Sequence, residues 1–139
     1  MRVALFGAWL LLCGCAGCQP PALVADVHYS GFRPDCVVVQ AAGEERTFAL
    51  GRSAPREGDL SVALWPAAGT GAGATTDVSA IARLSGCAGP DAVFASMPAV
   101  QWPSSGTRSV PLQLVARDLD DDGFLDGAGP AELQDCDDA

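Results

Sequence analysis

Lysine is missing from this 139-residue chain, and its positive charge rests on eight arginines. Seventeen acidic residues oppose them, for a formal net charge of −9. That balance removes the basic footprint nucleic-acid binding needs, so no nucleic acid is expected as a partner. Histidine occurs once, at His28. A Ser-His-Asp or Cys-His arrangement would have to be built on it, and nothing in the local sequence marks a nucleophile. The glycine-rich run at 69–73 lacks the lysine of a phosphate loop and reads as a hairpin connection. Long apolar runs are scarce too. The one at residues 3–12 covers about ten residues, half of what a membrane-spanning helix requires. These absences point away from an enzyme.

The acidity that remains is unevenly placed. Residues 15–117 carry eight acids and seven arginines, whereas residues 118–138, DLDDDGFLDGAGPAELQDCDD, hold nine acids and no base. Asp118, Asp120 and Asp122 alternate, Gly123 follows, and Asp126 comes three residues later. This is the front half of a calcium loop. Carboxylates stand at positions 1, 3 and 5, a glycine at 6 allows the sharp turn, the Phe124 carbonyl serves at 7, and an acid stands at 9. Position 12 is Gly129, where an EF-hand carries a bidentate Glu, and no amphipathic helix can follow through Gly127, Gly129 and Pro130. A closing ligand must come from further along, from Glu132, Asp135, Asp137 or Asp138. The opposing reading is a solvated acidic extension, the usual fate of a run of like charges.

At the other end, Met1-Arg2 and the apolar run have the form of a signal peptide. Leu11-Leu12-Cys13-Gly14-Cys15 resembles a bacterial lipobox, with a small residue before the modified cysteine. Cys15 is expected to carry the lipid, and an ordinary signal cut near Ala16 is the alternative. The lipid reading makes the protein membrane-anchored by acyl chains. Ala16 follows Cys15 where an Asp would hold it at the inner membrane, so the outer membrane is the expected destination. The chain then divides into a signal at 1–14, a lipidated tether at 15–24, a folded domain at 25–117 and an Asp-rich segment at 118–139.

Within the domain the pattern is one of short strands and turns. Residues 36–41, 46–50, 60–65, 78–84 and 110–117 are the clearest strands, and 93–95 and 100–102 are shorter ones. Leu60, Val62 and Leu64 alternate with polar or small residues, as do Val110, Leu112 and Leu114. A helix over 76–84 is the alternative for that stretch. Six or seven strands at this spacing predict an all-β fold, a small antiparallel β-sandwich of the immunoglobulin or fibronectin kind. About ninety residues make one modest core. Cys36 and Cys87, the only cysteines between tether and tail, are expected to reinforce it as a disulfide. Cys18 and Cys136 are left over. Trp65 and Trp102 either pack in the core or form a carbohydrate-stacking platform, which keeps an adhesion or carbohydrate-binding module open as a rival, with a protein or polysaccharide as its ligand.

The residues 31–36, 59–63, 86–87, 110–114 and 118–138 together resemble a group of myxobacterial lipoproteins. In that group a small β-domain with two cysteines precedes MopE-type metal-binding repeats of the form D-x-D-G-D-G-[YF] followed by D-C-D-D. The matching residues here are Asp118, Asp120, Asp122, Gly123 and Phe124, then Asp135-Cys136-Asp137-Asp138. Asp121 replaces the usual glycine, and only Ala139 follows the last motif. The resemblance implies calcium as the cation and a surface role.

Overall fold

The computed structural model describes residues 20–126, which form seven strands and no helix. In chain order these are β1 (Ala22–Ser30), β2 (Cys36–Ala41), β3 (Glu44–Ala49), β4 (Glu57–Leu64), β5 (Thr75–Arg83), β6 (Val93–Gln101) and β7 (Thr107–Val115). They make two sheets, one of three strands in the order β4-β1-β7 and one of four in the order β3-β2-β5-β6. The all-β sandwich expected from the alternation is what the chain builds.

The period of two explains which residues meet between the sheets. Leu23, Ala25, Val27 and Tyr29 of β1, with Val110, Leu112 and Leu114 of β7, face Val37 and Val39 of β2 and Val78, Ala80 and Ala82 of β5. Phe32 and Trp102 close the two ends of this core. Strand β2 is buried on both faces. Its Cys36 and Val38 turn outward to join Ile81 and Cys87 in a second small cluster. There Cys36 and Cys87 form the expected disulfide, with Cα atoms 5.1 Å apart across 51 residues of sequence.

Three details differ from the sequence reading. Strand β1 opens at Ala22, so the ordered domain takes in three residues assigned to the tether. Residues 78–83 lie in strand β5, as the strand reading has it, and the alternative helix over 76–84 does not form, because Val78, Ala80 and Ala82 can share a face only at a period of two. The two short runs at 93–95 and 100–102 belong largely to the single strand β6, whose alternation is broken by Pro98 and by a register shift opposite Thr76 and Val78. Lastly, every pairing is antiparallel except that of β1 with β7, which is parallel throughout. This connectivity departs from the immunoglobulin arrangement, whose sheets group the first, second, fifth and fourth strands against the third, sixth and seventh.

The parallel pair sets the position of the segment after β7. The chain leaves β7 beside the end of β1, where the Asp118 amide donates to the Gly31 carbonyl at 3.1 Å. Gly31 has φ of +86°, and a Cβ there would lie 2.0 Å from the Ala116 carbonyl oxygen, so only glycine permits the approach. Leu125 is fully buried in the main core, and the Asp126 amide donates to the Arg117 carbonyl at 2.7 Å. Residues 118–126 are therefore built into the domain, which extends past the boundary that composition suggests at 117.

Candidate metal centre

Between those two anchors the chain makes a tight loop. Asp121 (φ +62°) and Gly123 (φ +89°) take the left-handed turns that bend it. Side chains cap its amides. Asp118 Oδ1 accepts from the Asp121 amide at 2.8 Å, Asp120 Oδ1 from Asp122 at 3.3 Å, and Asp122 Oδ1 from Phe124 at 2.8 Å. Aspartate forms such turns readily because its short carboxylate reaches the backbone two or three residues on.

The result is a cluster. One carboxylate oxygen from each of Asp118, Asp120 and Asp122 lies within 4.8 Å of the others, so the three could hold a metal ion. Two oxygens bound to one calcium at its usual distances stand at most about 5 Å apart, so this spacing fits a shared ion. Asp118 is the decisive member. It is 2% exposed and is the one buried charged side chain among the described residues. Burial pushes its carboxyl above the ordinary range, amide hydrogen bonds from Asp121 and Gly123 pull it back, and the charges of Asp121 and Asp122 push it up again. No cationic side chain pairs with it among the described residues. Asp120 and Asp122 are exposed and open the cluster to solvent.

The cluster takes three of the residues singled out by spacing and separates others. Asp126 turns to Arg117, its Oδ2 3.7 Å from Nη1, and is not part of the triad. Phe124 belongs to the loop and is 43% exposed. Asp135, Asp137 and Asp138 lie outside the described residues, as does Cys15.

Other residues gathered here carry no mark in the sequence pattern. Asp121, which stands there only as a replacement for glycine, aims its carboxylate at Arg33 Nε (3.2 Å) and Arg56 Nε (3.4 Å). Arg33, Arg52, Asp35, Leu84 and Gly86 line a cleft of about 660 Å³ with Asp118, Asp121, Asp122 and Phe124. Asp35 accepts from the Gly86 amide at 3.1 Å, which ties this wall to the disulfide next door. These partners are 30 to 90 positions apart, so no local pattern could have joined them.

Elsewhere Trp65 and Trp102 part company. Trp102 is buried at 3% exposure, whereas Trp65 is 44% exposed under the Arg46 guanidinium, so they form no common platform. His28 stands on the outer face of the three-stranded sheet, its Nδ1 2.9 Å from Asp59 and its Nε2 3.8 Å from Glu57. The described residues contain no helix long and apolar enough to cross a membrane. No protein-family model matches the chain, and neither curated proteins nor solved structures give a match, so the acidic triad itself is the ground for a functional reading.

Proposed function

We propose that this is a non-enzymatic lipoprotein of the cell envelope, carried on an acylated Cys15 at the outer membrane, that binds calcium through the loop after β7. Its role is structural or one of interaction. The observation that carries the reading is Asp118, a carboxylate withdrawn from water, without a cationic side chain beside it among the described residues, and set against two further carboxylates. Three acids at this spacing repel one another, and a hard divalent cation relieves both the repulsion and the burial. Asp118, Asp120 and Asp122 ligate through side chains and Phe124 through its carbonyl. One of Asp135, Asp137 or Asp138 completes the shell, while Asp126 fixes the loop through Arg117. Without a bidentate Glu the affinity falls in the range of extracellular modules, around 10⁻⁴ to 10⁻³ M.

The test is a calorimetric calcium titration of the protein beside an Asp118/Asp120/Asp122→Asn variant. Saturable binding that the variant lacks is the expected result. Heat that does not saturate at millimolar calcium, or is unchanged in the variant, would remove the reading.

A further inference from the structure

The order of the strands decides which connections meet at each end of the sandwich. Strand β1 leaves the tether, β4 runs back beside it with Leu64 opposite Leu23, and Trp65 emerges where the domain begins. The connections at 42–43, 65–74 and 102–106 gather at that end. The Ala22 amide donates to the Gly106 carbonyl at 3.0 Å, Trp102 to Ala74 at 2.9 Å, and Trp65 to a Glu44 carboxylate oxygen at 3.2 Å. These three connections read AG, WPAAGTGAGA and WPSSG, without one charged residue. The connections at the opposite end carry Arg33, Asp35, Arg52, Arg56, Asp91, Arg117 and all five aspartates of 118–126. Some strand charges do approach the uncharged end. Glu44 and Arg46 pair with each other at 2.6 Å, and Glu45, Asp77 and Arg108 stand one or two residues inside their strands. Trp65 is 44% exposed there, with the Arg46 guanidinium 5.7 Å from its ring centroid.

The geometry points to a membrane-contact surface: the uncharged end rests in the headgroup layer of the bilayer that holds the tether, and Trp65 enters that layer. This rests on the acylation of Cys15 proposed above. Ala22 follows Cys15 by seven residues, so it cannot stand more than about 25 Å from the lipid. Charge selects which end is seated. Anionic headgroups repel carboxylates, and a charged connection loses hydration on entering the layer. The acidic end escapes both costs only by facing away. Tryptophan favours the headgroup level, because its ring is apolar and its indole N–H still finds a polar partner there. The depth is limited too. Connections with open backbone N–H and C=O groups cannot enter the hydrocarbon, so contact stops at the headgroups. One indole orients a domain without holding it, and the acyl chains remain the anchor.

The experiment expresses the full chain in a bacterial host that acylates lipoproteins, places the product in phospholipid vesicles and reads tryptophan emission. Wild type minus Trp65→Phe gives the Trp65 signal, since Trp102 is buried and Trp9 lies in the run assigned to the signal peptide. Expected is a blue shift from soluble Cys15→Ser protein, and at least twofold quenching by lipids brominated near the headgroup. Lipids brominated near the chain end should quench less. Ala68→Asp with Ala72→Asp, two exposed positions in the 65–74 connection, should abolish the quenching in anionic vesicles while the protein stays vesicle-bound. Vesicle-bound wild type whose Trp65 stays open to iodide and unquenched by brominated lipid would overturn the surface while the lipid anchor stands. A blue shift that needs no vesicles and grows with protein concentration would assign this end to a second copy and also overturn it. Wild type that floats with vesicles no better than Cys15→Ser would end both readings.

Discussion

Asp118 and Asp26 are carboxylates whose surroundings push them in opposite directions. Burial raises the Asp118 carboxyl, so its contribution to stability is whole below the unfolded value of 3.8 and is lost as pH rises through the folded value. At neutral pH without calcium, Asp118 therefore works against the fold. Asparagine keeps an oxygen for the Asp121 amide and drops the charge. Asp118→Asn is expected to melt at a higher temperature than wild type in EDTA at pH 7, and to gain nothing from calcium; thermal unfolding with and without the cation checks both. Asp26 sits on the outer face of β1 and accepts hydrogen bonds from Ser109 on β7 and from Ser61 on β4, the latter at 2.7 Å. These bonds, Ser109's first, lower its carboxyl. Its contribution is present above 3.8 and fades as pH falls through the lowered folded value. Ser109→Ala should bring acid unfolding to a higher pH while leaving stability at pH 2 nearly unchanged, read from pH-dependent melting. The loss at neutral pH should be modest, about 1 kcal/mol, because the pair is open to solvent.

At the scale of elements, docking decides whether the acidic loop is a site or a tail. Leu125 fills the core while its neighbours stay in water. Leu125→Ala removes that anchor at about 2–5 kcal/mol, the range for a buried leucine. Calcium affinity is expected to fall at least tenfold, and the Asp126 amide to lose protection from hydrogen exchange. Unchanged affinity would mean the loop holds its shape without the core. The edges of the two sheets are also managed. Pro111 and Pro98 interrupt β7 and β6, while Glu44, Glu45 and Arg46 charge β3, and Glu57 and Asp59 charge β4. Such residues discourage strand addition by another chain. The sequence made strands β4, β5 and β7 legible because alternation survives where one face is wet and the other dry. It made β6 look like two pieces because a proline and a bulge break that rhythm. Strand β1 alternates as cleanly as any, yet its small Ala22 and Ala25 lacked the bulk that announces a strand. The Asp triad was legible because its spacing is local. The arginines facing it, supplied by the segments before β2 and before β4, were not.

For the molecule as a whole, the disulfide joins the start of β2 to the loop before β6 and closes 51 residues. In the chain-entropy view that is worth about 4 kcal/mol, a large share of the stability of a domain this size. Replacing Cys36 and Cys87 by serine is expected to lower the melting temperature by roughly 15 °C or more. A melting temperature within a few degrees of wild type would show that the core suffices alone. The proposed anchor has its own test: Cys15→Ser should move the protein from the membrane fraction to the soluble fraction, and retention would refute acylation there. If the tether does hold the chain at a bilayer, the parallel pairing of β1 with β7 puts the acidic loop at the end of β1 away from the point of attachment. The tether enters at Ala22, whereas the acidic loop begins beside Gly31, past the far end of the nine-residue β1. At a rise of about 3.3 Å per residue, that strand is a stalk of about 30 Å. The screening length at physiological salt is about 8 Å, so a domain standing upright holds its cation site beyond the ionic atmosphere of the lipid headgroups. It would then sense the calcium of the surrounding fluid rather than the enriched layer at the membrane surface.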